Sequence, residues 1–262
     1  MIPKTIHYCW FGGNPKPKSV IKCINSWKKY CPDYEIIEWN EDNYDISANQ
    51  YMKEAYEAKK WGFVSDYARV DLIYNHGGIY LDTDVQIIKN FDPLLNDSSF
   101  FGFEDDGDGS FYINLGHGFA AEKGNQLVKN IMDSYKDLSF FNPDGRLNLI
   151  PSPQLITKVF IDRGFLLNNT KQKIDGNVVY PADHFDPKNF NTGMITITKN
   201  TFSIHHYDAS WYDDAEKKEL MRLWKQEKRK RRKNVLIYLP QIITKKILGE
   251  KNYKMLKIKL KK

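Results

Sequence analysis

The sequence predicts an α/β fold that opens with parallel strands. Residues 5–10 and 34–39 are rich in β-forming side chains, and the segment between them carries apolar residues at helical spacing. A second helical segment, residues 64–75, is followed by a glycine turn and a short apolar strand. Strand, helix and strand in succession are typical of a parallel sheet covered by helices. The 262 residues, 41% of them hydrophobic, are enough to bury a full core.

The first third of the chain supplies these elements in order. Gly12 and Gly13 end the first strand in a turn. Apolar residues at helical spacing over residues 20–27 then predict a helix, which Cys31-Pro32 stops. Residues 42–60 are polar and predicted to be partly helical. The helix over residues 64–75 ends at Gly77, which we expect to take a left-handed conformation.

The middle of the chain predicts further short elements. Extended segments and two helices alternate with turns, and no internal repeat is visible. The predicted strands cover residues 85–88, 99–104, 112–121, 178–180 and 196–205, and the predicted helices cover residues 125–138 and 154–163.

Two carboxylates follow the strand after Gly77. Asp82 and Asp84 are one residue apart, so they point the same way where the strand stays extended. Two hard oxygen donors at a strand end suit Mg²⁺ or Mn²⁺ carrying substrate phosphates. An Asp-x-Asp alone is also common in solvated turns, so its neighbours decide the interpretation.

Charge divides the chain in two. Residues 216–262 hold 18 Lys or Arg against 4 Asp or Glu, whereas residues 1–215 hold 21 basic and 29 acidic residues. We therefore predict a catalytic domain over residues 1–215 and a basic amphipathic helical tail over residues 216–262, with a helix over residues 216–233. The sequence contains no 18-residue apolar run, so no membrane-spanning helix is predicted. The three cysteines, Cys9, Cys23 and Cys31, are expected to be buried free thiols.

Four motifs in order give the chain a family resemblance. They are residues 6–13 (IHYCWFGG), 65–69 (SDYAR), 76–84 (HGGIYLDTD) and 205–211 (HHYDASW). Residues 1–215 thereby resemble family 32 glycosyltransferases, which have a sugar-binding region containing a DXD motif. This family includes the yeast initiating mannosyltransferase and bacterial capsule enzymes, and the clostridial glucosylating toxins are more distant relatives. The resemblance implies a GT-A fold, a Rossmann-like mixed sheet flanked by helices that binds a nucleotide sugar, with a divalent metal and retention of anomeric configuration.

The resemblance also implies roles for individual residues. Trp10 matches the aromatic residue that stacks on the donor base, and Asp66 with Arg69 matches the pair that holds the donor sugar and ribose. Asp82 matches the first DXD carboxylate, which faces ribose and sugar, and Asp84 matches the direct metal ligand. The remaining assignments are Ser210 and Trp211 for the loop that closes over the diphosphate, and His206 for a late metal ligand, with His205 and Asp208 left open as alternatives.

Each of these residues also has a purely structural interpretation. Trp10 in a buried strand can be a core aromatic, and Asp66 with Arg69 can be a surface ion pair worth under about 1 kcal/mol. His205 and His206 can be structural histidines. Only the combination of motifs favours the site.

The sequence thus predicts a retaining, metal-dependent hexosyltransferase of the DXD type. We expect catalytic roles for Asp66, Arg69, Asp82 and Asp84, a nucleotide-sugar donor with UDP as the nucleotide, and Mn²⁺ or Mg²⁺ as the cofactor. The acceptor is expected to be a glycan, lipid-linked, in capsular or other surface polysaccharide synthesis. The alternatives are a non-catalytic protein that binds nucleotide sugar or a membrane surface, and a metal-dependent phosphohydrolase, which usually needs more metal ligands.

The tail predicts a location. Apolar clusters between basic ones suit a segment that lies on anionic lipid. We expect a cytoplasmic protein associated peripherally with the inner face of the cell membrane. A solvated basic helix is the alternative; the tail has no nucleic-acid-binding signature, so no nucleic-acid partner is predicted.

Overall fold

The computed structural model describes residues 1–208, residues 215–232 and Lys246. The chain divides into two compact units, Met1–Phe190 with Ile195–Asp213, and Asn191–Met194 with Asp214–Lys262. The domain boundary expected after residue 215 stays a prediction. No helix in the described part of the chain is long and apolar enough to cross a membrane.

The first unit is built from strands and helices that alternate in its first half. The strands are β1 (Thr5–Cys9), β2 (Glu35–Trp39), β3 (Gly78–Tyr80), β4 (Val85–Ile87), β5 (Ser99–Asp105), β6 (Phe111–Ile113), β7 (Phe119–Ala121), β8 (Gln172–Ile174), β9 (Asn177–Tyr180) and β10 (Ser203–His205). The helices are α1 (Lys18–Tyr30), α2 (Gln50–Glu57), α3 (Trp61–His76), α4 (Gln126–Asp133) and α5 (Ser152–Asp162).

Within the described residues, eight strands form one mixed sheet. Its order is β2-β1-β3-β7-β5-β9-β8, and β6 pairs with the far half of β5. Strands β2, β1 and β3 are parallel, whereas β7 is antiparallel to both β3 and β5. Strands β4 and β10 form a separate antiparallel pair. The mixed sheet and its helices confirm the predicted α/β fold class.

Two apolar clusters cover the two faces of the sheet. Neighbouring residues along a strand belong to different clusters, as Phe100 and Phe101 do, because successive side chains point to opposite faces. Helices α2, α3, α4 and α5 contribute to the cluster that contains Phe101. Helix α1, through Trp27, and strand β4 contribute to the other. All three cysteines are buried free thiols, as predicted.

Most predicted elements are present, but two strand predictions are wrong. Residues 112–121 form two strands, β6 and β7, because they pair with different parts of β5 and the chain turns between them, where Asn114 Oδ1 accepts a hydrogen bond from Gly116 N at 2.7 Å. Of the predicted strand over residues 196–205, only β10 is regular. A turn precedes it, in which Thr201 N donates to Thr198 O.

The second unit contains a helix that is described over residues 215–232. It agrees with the predicted helix over residues 216–233 as far as the description reaches. Most of its residues are exposed, including Met221 and Leu223, whereas Leu220 is buried.

Candidate functional site

The DXD motif lies in a tight turn between β3 and β4. Leu81 N donates to His7 O at 3.1 Å, so the chain still follows β1 at this point. Asp82 N then donates to Gly116 O, and Val85 N donates to Asp82 O, both at 3.0 Å. The chain therefore does not stay extended through Asp84, and a turn, not strand alternation, brings the two carboxylates together.

Three side chains converge at this turn. Asp82, Asp84 and His205 each offer a ligand atom, and these atoms lie within 4.8 Å of one another. His205 is there because β10 pairs antiparallel with β4, which places it opposite Val85. His205 Nε2 lies 3.2 Å from Asp84 Oδ1, and the two side chains are only 4% and 12% exposed. Two carboxylates and an imidazole fit Mn²⁺ or another divalent transition metal.

The structure brings His205, and not His206, to this group. The ring of His206 turns away, with Nε2 3.0 Å from Gln86 Oε1, and its backbone N–H donates to Asp84 O at 3.0 Å. Asp208 contributes a backbone N–H, which donates to Asp84 Oδ2 at 2.8 Å. Of the three residues considered for the late metal ligand, His205 is the one whose ring the structure brings beside Asp82 and Asp84.

Opposite pKa shifts distinguish the two DXD carboxylates. Burial raises the pKa of Asp82 to about 6. The positive charge of Arg69 offsets this only in part, and the nearby Asp84 charge adds to it. Burial also acts to raise the pKa of Asp84, but the charge and hydrogen bond of His205 and the N–H of Asp208 lower it to about 2. Burial opposes protonation of His205, yet Asp84 raises its pKa to about 9. Asp84 is therefore held as an anion.

Asp66 and Arg69 form a buried ion pair beside the motif. They lie three residues apart on α3, and Arg69 Nη2 donates to Asp66 Oδ1. Ser152, at the start of α5, accepts from Arg69 Nη2 at 2.7 Å and donates to Asp66 Oδ1 at 2.9 Å. Arg69 Nη1 also lies 3.5 Å from Asp82 Oδ2. The pair is part of the site because Arg69 lies beside Asp82. It is not a surface ion pair, since the side chains of Arg69 and Asp66 are only 4% and 13% exposed.

Trp10 lies at the same edge of the sheet. It directly follows β1, whose neighbour β3 leads into Asp82, and the carboxyl ends of parallel strands share one edge. Its side chain is half-buried, its Nε1 donates to Asn14 O at 2.7 Å, and Lys16 Nζ lies 5.5 Å from the ring centre. Ser210 and Trp211 lie outside the described residues.

Several polar residues around the site had no role predicted from the sequence. Asn114 Nδ2 donates to Glu104 Oε2 at 2.9 Å, and Tyr207 OH donates to Asp186 Oδ1 at 2.7 Å and lies 3.3 Å from Glu104 Oε1. Burial and the Glu104 charge raise the pKa of Asp186 to about 7. These partners are far apart in sequence and join only when β5, β6 and the chain around β10 meet. Ser152 had one local signal, since prolines on both sides mark the start of a helix.

Comparison with known proteins agrees with the motifs. Residues 17–101 match the family described as "Glycosyltransferase sugar-binding region containing DXD motif". Inositol phosphoceramide mannosyltransferase 3 of Schizosaccharomyces pombe is 32% identical over 103 residues, which are 36% of this chain and 28% of the relative. Inositol phosphoceramide mannosyltransferase 1 of the same yeast is 29% identical over 110 residues, which are 38% and 33% of the two chains. The alignments thus span a third or less of the length of these relatives.

Among solved structures, the PaToxG glycosyltransferase superposes with a TM-score of 0.46 at 17% identity, over 62% of this chain and 69% of that one. Within residues 17–101 lie Asp66, Arg69, Asp82 and Asp84, four of the residues that converge in the structure. Residues 17–101 thus match a glycosyltransferase sugar-binding region with its DXD motif, and this match confirms the resemblance recognised in the sequence.

Proposed function

We propose that the protein is a metal-dependent, retaining glycosyltransferase that moves a hexose from a UDP-linked donor to a glycan acceptor. One observation carries the proposal: Asp82, Asp84 and His205 present ligand atoms within 4.8 Å of one another beside a buried Asp66–Arg69 pair. A group that could hold a diphosphate-bound metal, next to a buried charged pair that can hold sugar hydroxyls, would serve sugar transfer from a nucleotide.

The metal would be held by Asp84, His205 and Asp82. The ring nitrogen favours Mn²⁺ over Mg²⁺, because imidazole is a softer donor than carboxylate or water. When bound, the ion would neutralise charge that develops on the diphosphate as the sugar leaves. A ligand must be deprotonated to bind the metal: Asp84 meets this condition, since its pKa is lowered to about 2, whereas His205 would first have to lose the proton that pairs with Asp84.

The donor would be held by residues on both sides of the motif. Arg69 offers a planar fork of N–H donors for phosphate or hydroxyl oxygens, and Asp66 can accept from sugar hydroxyls. Trp10 offers an aromatic face for the base, and stacking of this kind is worth about 1–3 kcal/mol in nucleic-acid complexes. Ser210 and Trp211 would supply a hydroxyl and an indole N–H to the diphosphate.

Retention of configuration is consistent with attack from the side of the leaving group. In such a step, the bond between the sugar's anomeric carbon and the phosphate oxygen breaks. The acceptor hydroxyl oxygen bonds to the anomeric carbon on the same face, and its proton passes to the departing phosphate oxygen. This step needs no protein base, and the protein's contribution is to orient the donor and stabilise the diphosphate.

The proposal is tested by incubating the full-length protein with a panel of nucleotide sugars and Mn²⁺. We expect slow hydrolysis of one UDP sugar, abolished by Asp84→Ala and preserved by Asp33→Ala. Asp33 is a matched control, because it is exposed and pairs with Lys4, which directly precedes β1, at the opposite edge of the sheet from the DXD turn. Circular dichroism would verify that both variants fold. Donor binding without turnover, even with extracted lipid acceptor, would favour the non-catalytic alternative and overturn the proposal.

We also propose that the protein works at the inner face of the cell membrane, on a lipid-linked acceptor in capsular or other surface polysaccharide synthesis. The helix over residues 215–232 supports this, since it carries nine Lys or Arg against three Glu and exposes Met221 and Leu223. Each basic residue near an anionic surface contributes about 1 kcal/mol to binding.

Truncation after Asp214 tests the membrane proposal. We expect it to reduce sedimentation with phosphatidylserine vesicles while donor hydrolysis survives, and we expect vesicles of neutral lipid to bind neither form. Equal sedimentation of the full-length and truncated proteins with anionic vesicles would contradict it.

A further inference from the structure

His117 is a buried histidine for which the reaction proposed above has no use. It lies between β6 and β7, in the same loop as Gly116, and it is 0% exposed. Neither of its ring nitrogens has a hydrogen-bond partner among the described residues. Leaving a buried polar atom unpaired costs about 1–3 kcal/mol, so such a group calls for an explanation.

The surroundings of His117 fix its ring in one place. The ring stacks on Phe185, with centres 6.5 Å apart and planes 15° from parallel. On strand β5, a Cβ at Gly102 would lie 3.0 Å from His117 Cε1, so the strand packs closely against the ring. His117 is therefore held by packing in an apolar setting where a hydrophobic side chain of similar shape would be expected.

Within the described residues, the polar ring that lies beside that of His117 belongs to a candidate metal ligand. The rings of His117 and His205 are 6.2 Å apart and nearly perpendicular. His205 Nε2 faces Asp84, but its Nδ1 is buried and has no partner in the described part of the chain. Two adjacent buried imidazoles thus share three unpaired nitrogens, two on His117 and one on His205.

We propose that His117 is a positioning residue for His205, to which it offers a ring nitrogen as acceptor for the Nδ1–H through one buried water. A neutral imidazole has one lone-pair nitrogen, which makes this pairing possible. Metal-binding histidines usually donate their second N–H to a partner, which fixes the orientation of the ring, and loss of the partner typically costs 10–100-fold in metal affinity. The inference rests on the proposed function, in that it takes His205 as a ligand of the catalytic metal.

The test compares four variants of the full-length protein. His117→Phe removes both nitrogens and keeps an aromatic ring, while His117→Gln and His117→Asn keep a hydrogen-bonding group. Phe185→Leu is the matched control, since it loosens the packing around His117 and leaves both histidines in place. Free Mn²⁺ is measured by electron paramagnetic resonance during titration, with the metal alone and with uridine diphosphate.

We expect His117→Phe to raise the Mn²⁺ Kd by about 10–100-fold. Phe185→Leu should lower the melting temperature with little change in Kd, and at least one of the amide variants should restore Kd to within about threefold of the wild type. An unchanged Kd in His117→Phe, or failure of both amide variants to bind better than His117→Phe, would overturn the inference.

A second readout does not depend on the metal. In protein labelled with ¹⁵N-histidine, we expect a slowly exchanging His205 Nδ1–H signal, assigned with His205→Gln, that disappears in His117→Phe. Its absence from the wild type would refute the pairing. If the wild type binds no Mn²⁺, the proposed function fails, and this spectrum still decides whether His117 orients His205.

Discussion

Alanine at Gly116 is expected to separate activity from stability. Gly116 lies in the loop between β6 and β7, and its carbonyl accepts the hydrogen bond from Asp82 N. A Cβ at this position would overlap Asp82 Oδ2, and it would lie 3.3 Å from Asp82 Cγ and 3.1 Å from Asn114 Oδ1. The Asp82 carboxylate must therefore move, while its backbone can stay where it is.

The size of the effect follows from the geometry. Relief of the overlap requires a carboxylate shift of about 1 Å, and a misplacement of that size can cost about 100-fold in rate, or about 3 kcal/mol of transition-state stabilisation. The backbone of Gly116 is not in the left-handed region, so alanine is tolerated there. The gain of about 0.4–1 kcal/mol from glycine's lost freedom in the unfolded chain is offset by the displaced Asp82 carboxylate, so we expect little net change in the free energy of unfolding.

The assay is kcat/KM for donor hydrolysis, together with the free energy of unfolding from urea titration. The control is Gly118→Ala in the same loop. Gly118 has φ +124°, and a Cβ there would meet Leu81 Cδ2 at 3.0 Å and no part of Asp82. We expect this control to lose about 1–3 kcal/mol of stability through backbone strain. A Gly116→Ala protein whose kcat/KM stays within about threefold of the wild type would refute the reasoning.

Two further substitutions test the surroundings of the site and the sheet beneath it. Ser152→Ala removes the hydroxyl shared by Arg69 and Asp66, so we expect the free energy of unfolding to fall by about 2 kcal/mol and the donor KM to rise, measured by urea titration and initial rates. Unchanged values of both would contradict it. Burial lowers the pKa of His7 to about 4, and its Nδ1 accepts from Trp39 Nε1 at 3.0 Å. In the unfolded chain, His7 is protonated as the pH falls through 6.5, whereas in the folded protein it stays neutral down to about pH 4. The contribution of His7 to the free energy of unfolding is therefore complete above pH 6.5 and decreases by about 3 kcal/mol as the pH falls from 6.5 through 4. Urea titrations over this range should give a shallower pH dependence for His7→Gln than for the wild type, and parallel curves would count against this.

The parts of the site that the sequence could predict are those encoded locally. The helical spacing before Gly77 predicts α3, and the spacing of three places Asp66 and Arg69 on one face of it. Gly77 does end that helix and has a positive φ of 70°, but its ψ of −174° lies outside the left-handed helical region that was expected. The acidic pair after β3 was found for the same reason, since a short apolar strand directly precedes it.

The parts that the sequence could not predict depend on contacts between distant segments. The choice between His205 and His206 is set by the register of β10 on β4, and a slip of one residue would exchange the two rings. The turn at Asp82 depends on the carbonyl of Gly116, which arrives from a loop more than thirty residues later. Ser152 reaches Arg69 across 83 residues of sequence. A local sequence pattern cannot predict contacts between residues so far apart in the chain.

The balance of charge around the DXD turn gives a reason for a divalent ion. Asp66, Asp82 and Asp84 supply three carboxylates, and Arg69 compensates only one of them permanently. His205 compensates a second when it is protonated, as its raised pKa favours, but it must lose that proton to bind a metal. A divalent cation would replace that proton and balance the remaining carboxylate as well. Burial raises the pKa of Asp82, and the nearby Asp84 charge adds to it, so binding of Mn²⁺ at neutral pH is expected to release protons into a weakly buffered solution. Binding without proton release would place the ion away from these side chains.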